Sequence, residues 1–446
     1  MTENPRFVVV GGGLAGCEAA WQIARMGVRV ELWEMRPNVE SPAHRTGLLA
    51  ELVCSNSLKS DTPDSAQGLL KRELRALNSF VISVAEKHRV PAGKALAVDR
   101  EAFAGAVTEA IEGSSLIDVV RREFTEIDAA QPTVIATGPL TSDALSAKLQ
   151  QVIGAEHLYF FDAISPTVEA DSVDLSRAFW GARYAEGSSD YLNCPLSETE
   201  YHAFREALLD AKTVEPRDFE RSHLFEGCLP VEEIAVRGQM ALAFGPLKPV
   251  GLFDPLSGRR PFACVQLRRE NEAGTLLSLV GCQTRLKYAE QRRVFGLVPA
   301  LAGASFARYG SMHRNIFVNS PEVLTEEHQL KAAPKVFLAG QITGVEGYVE
   351  AIASGLIVGL NAGRMMLGMR PVLPPADTMA GALMRYVTHG GAKHFQPMNA
   401  NFGLLASDGS LSRSRKRQRR AAITDAALAS LLKWRETLER DPDHAS

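Results

Sequence analysis

The first sixteen residues of the chain carry the glycine pattern that most constrains its fold. A short apolar run at residues 7–10 is followed by Gly11, Gly13 and Gly16, and a helical pattern comes next. The spacing is G-x-G-x-x-G. In a strand-turn-helix unit the first glycine permits a tight turn, the second lets a pyrophosphate approach the backbone, and the third lets the helix pack on the strand. The pattern predicts an α/β fold with a dinucleotide site.

An acidic residue supports this interpretation. Residues 28–34 alternate like a second strand and end in Glu34, eighteen positions after Gly16. A carboxylate there can accept both hydroxyls of an adenosine ribose. The alternative is a plain strand-helix-strand turn that binds nothing. The predicted nucleotide-binding residues are Gly11, Gly12, Gly13, Leu14, Ala15, Gly16 and Glu34.

A later part of the chain favours FAD over NAD. Residues 335–340 form a strand pattern, and a small-residue helix is predicted at 348–367. FAD proteins of the glutathione-reductase type place such a helix N-terminus at the flavin, where it stabilises negative charge. No second G-x-G-x-x-G follows a strand, so NAD(P)H is expected to visit the flavin without a domain of its own. The glycines assigned to the flavin are Gly138, Gly340, Gly344 and Gly347.

The length of the chain and the order of its sequence patterns predict the domain organisation. The chain has 446 residues, 46% hydrophobic and 23% charged, enough for two or three domains. The fold class is α/β: a doubly wound FAD-binding domain of the glutathione-reductase type with an inserted α+β domain. Residues 1–150 and 330–446 are predicted to form the FAD-binding domain, with a C-terminal helical segment. Residues 151–329 are predicted to form the inserted domain. One long helix is expected at 67–87.

The apolar runs and the cysteines predict where the protein is located and whether it has disulfides or a metal site. No run resembles a signal peptide or reaches the length of a membrane span, so we expect a cytoplasmic protein. The six cysteines contain no C-x-x-C, which predicts reduced thiols and no metal site. An isolated cysteine usually acts as a small buried hydrophobe. That interpretation is kept for Cys17, Cys194, Cys264 and Cys282.

Motifs along almost the whole chain resemble those of the TrmFO family, the folate- and FAD-dependent tRNA (uracil-5-)-methyltransferases, which are related to the GidA flavoproteins. Cys54 and Cys228 fall in the two cysteine signatures of that family. The other matching stretches are residues 11–20, 90–93, 95–100, 191–195, 244–251, 312–315, 344–348 and 395–403.

The resemblance implies methylation of the T-loop uridine of tRNA at C5, with carbon from methylenetetrahydrofolate and electrons from NAD(P)H through FAD. Uracil C5 becomes nucleophilic when a thiolate adds at C6, and Cys228 is assigned to that step. Cys54 is expected at the flavin, where it handles the one-carbon unit or removes the C5 proton. His313 would stack on the folate pterin; alternatively, it is a hydrogen-bonded histidine in the cleft wall.

The formal charge of −3 means that any RNA contact must be local. A basic run precedes a helix predicted at 424–440 with a stripe of Leu428, Leu431, Leu432 and Leu438. The run is predicted to bind phosphates, the alternative being a solvated linker. Glu232 and Glu233 are expected on a solvated loop, the alternative being that they position the edge of a base. The predicted RNA-binding residues are Arg415, Lys416, Arg417, Arg419 and Arg420.

Two other functions stay open. A GidA-like enzyme that modifies wobble uridine would share FAD, folate and much of the fold, but GidA proteins are longer and have a C-terminal partner-binding domain. A noncatalytic tRNA-binding flavoprotein would need neither Cys54 nor Cys228.

Overall fold

The computed structural model describes residues 6–41, 43–154, 157–159, 162–163, 165–183, 190–214, 229–255, 257–269, 274, 276–310, 312–313, 316–389, 395, 397–405 and 416–439. The helices in these ranges are α1 (Leu14–Arg25), α2 (Ala66–Ala76), α3 (Phe80–Lys87), α4 (Arg100–Glu112), α5 (Asp143–Ile153), α6 (Glu198–Leu209), α7 (Val231–Val236), α8 (Ala241–Phe244), α9 (Tyr288–Phe295), α10 (Ser320–Val323), α11 (Tyr348–Met366), α12 (Met379–His389) and α13 (Lys416–Glu439).

The strands are short. They are β1 (Phe7–Val10), β2 (Val30–Trp33), β3 (Ser57–Ser60), β4 (Arg89–Val90), β5 (Ala95–Val98), β6 (Ile117–Val120), β7 (Thr133–Ile135), β8 (Leu158–Tyr159), β9 (Asp162–Ala163), β10 (Thr167–Glu169), β11 (Phe179–Gly181), β12 (Tyr191–Leu196), β13 (Ala263–Arg269), β14 (Leu276–Leu279), β15 (Phe306–Arg308), β16 (Met312–His313), β17 (Phe317–Val318), β18 (Gln329–Leu330) and β19 (Ala333–Leu338).

The first sheet is mixed, with strand order β18-β19-β7-β1-β2-β6. Its pairings are parallel except for β18, which runs antiparallel to β19. β1 is buried along its whole length, and an apolar strand of that kind is typical of a sheet covered on both faces. Because parallel strands end at one edge, the loops after β1, β2, β7 and β19 gather there.

Helices α1 and α11 pack closely because α11 carries glycine at the contact. A Cβ on Gly355 would lie 2.3 Å from the Ala15 carbonyl oxygen, and one on Gly359 would lie 2.7 Å from the Ala19 Cα. The contacts advance along both helices together, so the helices run parallel. Both N-termini therefore point to the carboxyl edge of the first sheet, where α11 extends about six residues, ~9 Å, beyond the start of α1.

The second sheet is antiparallel, with order β11-β12-β13-β14-β10-β15. One face is covered by apolar side chains of α6 and α9, with Phe204 and Phe295 buried in its core. The polar side chains of Asn193, Gln266 and Arg268 alternate with this apolar set along β12 and β13, so they lie on the opposite face. Two short antiparallel pairs join the two chain segments that run between the sheets: β8 pairs with β17, and β9 pairs with β16.

The long helix expected at 67–87 is wrong, because two helices occupy that stretch. Asn78 adopts a left-handed conformation with φ 57°, which ends α2. Ser79 then caps α3 by accepting the Ile82 N–H, and the buried Glu18 accepts the N–H groups of Phe80 and Val81. The stripe on α13 also differs: Leu432 is 37% exposed, and the helix buries Ala427 and Leu431.

The two chain segments near residues 158 and 317 pack against the first sheet. Leu158, Ile316 and Val318 share a buried cluster with Val8 and Ile135 of the first sheet. The division at 151 and 329 stays a prediction. Within the described ranges, no helix combines the length and the apolar character that crossing a membrane requires.

Candidate functional site

A cleft of about 1010 Å³, open solvent included, lies at the carboxyl edge of the first sheet, above the N-terminus of α1. Six of the predicted cofactor-binding residues line it: Gly11, Gly13, Leu14, Ala15, Glu34 and Gly138. Side chains that the sequence did not single out line it too: Trp33, Arg36, Arg122, Gln341 and Tyr348.

The three fingerprint glycines have different surroundings. Gly11 has φ +103°, and a Cβ on it would lie 2.7 Å from the Ala136 carbonyl oxygen. A Cβ on Gly16 would lie 1.8 Å from the carbonyl oxygen of Gly11. A Cβ on Gly13 would meet no protein atom within 4 Å, and its φ of −78° suits any residue. Gly11 and Gly16 therefore shape the turn, whereas Gly13 leaves space on the cleft side.

Glu34 is held by four hydrogen bonds at the end of β2. Its Oε1 accepts from the Arg36 amide and Nε at 3.0 and 2.9 Å, and its Oε2 accepts from the Gly12 amide and Arg36 Nη2 at 2.9 and 3.2 Å. Burial alone would raise the pKa of Glu34, but the hydrogen bonds and charge of Arg36 outweigh it and lower that pKa. The carboxylate is ionised, and its acceptor sites are filled by protein donors.

The other predicted glycines lie behind the cleft or beside it. Gly12, Gly16, Gly340, Gly344 and Gly347 are not among the residues that line it. A Cβ on Gly340 would lie 2.6 Å from the Ala15 Cβ, so this glycine lets the β19 turn approach α1. Gly347 has φ +122° and precedes α11, where a Cβ would collide with the Glu350 carboxylate.

Cys54 lies next to the N-terminus of α11. The amide groups of Cys54 and Ser55 donate to the Tyr348 hydroxyl at 2.8 and 3.2 Å. Tyr348 is the first residue of α11 and lines the cleft, as does Val53. Burial raises the pKa of Tyr348, and the nearby Cys54 raises it further by a smaller amount. The phenol therefore stays protonated. Cys54 itself is partly exposed.

The second sheet reaches the same segment. Arg268, on β13, donates from Nη2 to the Ser55 hydroxyl at 2.5 Å and from Nε to the Asn56 Oδ1 at 3.0 Å. Asn56 in turn donates to the Arg269 carbonyl oxygen at 2.7 Å. These bonds link residues more than 200 positions apart, and no sequence signal indicated them. The segment that carries Cys54 is therefore fixed from both sheets.

A second cleft adjoins the first. Its volume is about 1170 Å³, open solvent included, and it shares Glu51 and Val53 with the first cleft. Arg45, Asp99 and Arg100 line it from the first sheet's side. The second sheet's side contributes Thr167, Leu276 and Ala307. The two clefts meet at the segment just before Cys54, between the two sheets.

The structure places the other predicted residues unevenly. Cys228 and Arg415 lie outside the described residues. His313 lies in β16, where its backbone pairs with Asp162, but its side chain is outside the described part. The same holds for the side chains of Lys416, Arg417 and Arg419 at the start of α13. Arg420 lies over the Phe402 ring, with 5.2 Å from its Cζ to the ring centroid.

The solvated loop expected at Glu232 and Glu233 is wrong. Both residues belong to α7, and Glu232 is 4% exposed. Its carboxylate accepts from the Thr284 hydroxyl at 2.8 Å and from the Arg285 amide at 2.6 Å, and Glu233 pairs with the Arg285 side chain. Buried partners hold these glutamates, which anchor α7 to the loop after β14.

The four cysteines interpreted as core residues are all buried. Burial raises the pKa of Cys264 and of Cys282 to about 12, and it raises those of Cys17 and Cys194 as well. These thiols stay protonated at neutral pH and cannot serve as nucleophiles. Among the described cysteines, Cys54 alone is partly exposed beside a cleft.

Comparison with known proteins agrees with the motif analysis. Residues 6–370 match the family model described as glucose inhibited division protein A. The chain is 55% identical to methylenetetrahydrofolate–tRNA-(uracil-5-)-methyltransferase TrmFO of Geobacter sulfurreducens, over 96% of this chain and 99% of that protein. It is 54% identical to the TrmFO of Aquifex aeolicus, over 96% of each. The GidA structure of Aquifex aeolicus aligns with a TM-score of 0.69 and 15% identity, covering 99% of this chain and 77% of that one.

Proposed function

The chain belongs to the glucose inhibited division protein A family and, within it, to the TrmFO methyltransferases, and from this membership we propose how its residues carry out the reaction. The protein is a methylenetetrahydrofolate-dependent tRNA (uracil-5-)-methyltransferase. The finer proposal is that it forms 5-methyluridine in the T-loop, with FAD as cofactor and NAD(P)H as reductant.

The observation that carries the site assignment is the meeting of three features at one cleft. The N-termini of α1 and α11 point towards this cleft in the same direction, and Tyr348 holds the backbone of Cys54 at the start of α11. A pair of helix N-termini favours a ligand with negative charge. The pyrophosphate of FAD would lie over Gly13, and its isoalloxazine would lie towards Tyr348.

The residues of the first cleft fit FAD. The open space at Gly13 is what a pyrophosphate against the backbone needs. The filled acceptors of Glu34 add a condition: one Arg36 bond must open before a ribose hydroxyl can bind the carboxylate. Bound FAD would supply the electrons that convert the transferred carbon into a methyl group. We infer that the first sheet belongs to a glutathione-reductase-type domain and that 151–329 is inserted into it.

The two cysteines would divide the work on the RNA and at the cofactor. Cys54 lies where a thiol can meet a group bound above the N-terminus of α11, and this supports a role at the flavin or in removing the C5 proton. For Cys228 the support is its family signature, since it lies outside the described residues. Its thiolate would add at C6 of uracil and make C5 nucleophilic.

The second cleft would receive folate and RNA. It opens between the sheets beside Cys54, which is where two substrates must meet the same cofactor. His313 would stack on the folate pterin, and Arg415, Lys416, Arg417, Arg419 and Arg420 would bind phosphates. The contact of Arg420 with Phe402 supports a shared role for this residue in packing and in RNA binding. We propose a cytoplasmic location, where tRNA and folate are present.

Mass analysis of tRNA tests the proposal. Purified protein is incubated with unmodified tRNA, methylenetetrahydrofolate and NADH or NADPH, and nuclease fragments are analysed before and after. A methyl group gained on the T-loop uridine supports the proposal. A change confined to the wobble position would support the GidA-like alternative, and no change with either reductant would favour the noncatalytic one. Omitting the folate is the control, since the methyl group must then disappear.

A further inference from the structure

The exposed aromatic side chains of the second sheet are concentrated at one edge. In the described part of the chain, Trp180, Phe244, Phe253 and Tyr288 are the aromatic residues with more than a third of their surface exposed, at 39%, 79%, 64% and 62%. Phe244 lies in a stretch of the family pattern to which the reaction assigns no role. Apolar rings exposed to this degree are commonly covered by a partner.

Three of these rings belong to chain segments that meet at Arg183, which follows β11. Arg183 donates to the Pro246 carbonyl oxygen at 2.8 Å, two residues after Phe244. A Cβ on Gly251, two residues before Phe253, would lie 1.8 Å from the Arg183 carbonyl oxygen. Trp180 precedes Arg183 by three residues in β11. Tyr288 is separate, because it stacks on Tyr309 beside β15, at the opposite edge of the sheet.

The stretch that carries Phe244 and Phe253 is locally basic, although Glu232, Glu233, Glu270 and Glu272 flank it. Residues 234–269 contain six basic residues and one acidic residue, Asp254, which is buried and accepts a hydrogen bond from Ser257. Arg259 and Arg260 are exposed next to Phe253. Arg269 lies over the Trp180 ring, with its Cζ 4.6 Å from the ring centroid. An arginine stacked on a ring still presents its N–H donors at its edge.

The backbone of β13 links this surface to the Cys54 segment, which contacts Arg268 on the opposite face of the sheet. The Leu247 carbonyl oxygen accepts from Cys264 at the start of β13, and Arg268 at its end reaches Ser55. The seven residues of β13 span about 20 Å at ~3.3 Å each, which is the scale of an RNA stem-loop rather than of one nucleotide. Rings interleaved with arginines suit unpaired nucleotides, whose bases stack while their phosphates meet cations.

We propose that Trp180, Phe244, Phe253, Arg259, Arg260 and Arg269 form the surface on which the enzyme binds the unpaired loop nucleotides of its RNA substrate; we refer to it as the β11 edge surface. The inference rests on the proposed function, because it takes the tRNA substrate of that function as the RNA that is bound. Base-paired stems hide the faces of their bases, so the rings would contact the loop and the arginines would contact either form.

Binding of labelled RNA hairpins by fluorescence anisotropy tests the surface without requiring catalysis. The probes are a T-arm hairpin and a duplex of the same stem without unpaired bases. The Phe244→Ala/Phe253→Ala variant should bind the hairpin about tenfold to a hundredfold more weakly and the duplex unchanged. The double change to tyrosine should restore hairpin binding. The Arg259→Ala/Arg260→Ala variant should make the affinity for both probes less dependent on salt. The slope of log affinity against log salt should fall by about 0.7 to 0.9 for each phosphate that the variant no longer neutralises.

Tyr288→Ala is the matched control, with an equally exposed ring at the other edge, and it should leave hairpin affinity unchanged. Wild-type affinity in the double alanine variant would overturn the inference, and so would an equal loss for Tyr288→Ala. A concentration-dependent dimer that the phenylalanine variants abolish while RNA affinity stays unchanged would assign the surface to a second copy of the chain. Bound flavin and thermal stability report whether each variant is folded.

The two proposals can fail separately. If wild-type protein methylates the T-loop and every variant binds RNA normally, the surface is wrong and the function stands. If T-loop methylation is absent but the phenylalanine variants still lose hairpin binding, the function is wrong and the surface stands.

Discussion

In the turn between β1 and α1, Gly11 and Gly16 are required for folding, whereas Gly13 is free to serve ligand binding. At Gly11 and Gly16 a side chain would collide with backbone, so substitutions there would disturb the fold itself. Gly13 differs, because its φ is ordinary and its Cβ would point into open space. A defect at Gly13 therefore reports ligand binding with little contribution from folding.

We expect Gly13→Val to fold normally and to lose bound FAD, because the new side chain fills the space over which the pyrophosphate would lie. Flavin occupancy, measured from the visible absorbance per chain after reconstitution, should fall by about tenfold or more, in line with the effect of overfilling a close contact. Gly105→Val is the control: Gly105 also has no atom within 4 Å of its Cβ, but it lies in α4 away from the cleft. Full flavin occupancy in Gly13→Val would contradict the assignment.

Cys54 and Cys228 should fail at different steps. Cys228→Ala should retain flavin and NADH oxidation but form no covalent complex with T-arm RNA containing 5-fluorouridine, because no thiolate is left to add at C6. Cys54→Ala should keep that complex and still lose methylation. Each loss should reach about three orders of magnitude, as expected when a reacting group is removed.

The matched control for both cysteines is Cys282→Ala, since Cys282 is buried and its pKa is about 12. It should methylate tRNA at close to the wild-type rate even if its stability falls. An RNA complex that is lost with Cys54→Ala and retained with Cys228→Ala would reverse the assignment. Normal methylation by both variants would exclude a thiol mechanism.

Among the helices and strands, the sequence predicts those whose bounds are set by neighbouring residues. The helix expected at 348–367 is found as Tyr348–Met366, because its small-residue pattern and its preceding glycines are local. The helix expected at 67–87 is wrong because the left-handed Asn78 and the Ser79 cap break it locally, and Glu18, more than sixty positions away, accepts the first N–H groups of α3. The contact of Arg268 with Ser55 could not be predicted either, since it requires the position of one sheet relative to the other.

Helix α2 contains a buried lysine whose titration should be measurable. Lys71 is fully buried and donates from Nζ to the carbonyl oxygens of Leu58 and Ser60 at 2.8 and 2.7 Å, which fastens α2 to β3. Burial, opposed by the charge of Asp61, lowers the pKa of Lys71 from 10.5 to about 8. Between these two values the unfolded chain holds a proton that the folded chain has released, so the free energy of unfolding rises with pH.

We expect the free energy of unfolding to gain at most about 3 kcal/mol from Lys71 between pH 8 and 10.5, and to lose this gain progressively as the pH falls from 10.5 back to 8. Urea titrations at a series of pH values should show this rise in wild-type protein and not in Lys71→Met. Lys331→Met is the control, because the exposed Lys331 also donates to two carbonyl oxygens. A rise that survives in Lys71→Met would assign it to other groups.

At the scale of the whole molecule, the position of Cys54 depends on how the two sheets are placed. The segment with Cys54 is bonded to α11 through Tyr348 and to β13 through Arg268. The thiol therefore has a fixed position only while both halves of the protein are docked. Arg268 acts through Ser55 and Asn56, which makes it a positioning residue.

Arg268→Ala should lower kcat for tRNA methylation by about tenfold to a hundredfold, as a small misplacement of a reacting group does. The KM for tRNA and the flavin content should change little, because Arg268 lies behind the Cys54 segment and outside the residues lining the first cleft. Ser55→Ala should give part of the same defect. The double variant should be no slower than Arg268→Ala, because both changes remove one shared hydrogen bond. Fully additive losses would show that the two residues act independently, and a raised KM with unchanged kcat would make Arg268 a substrate contact instead.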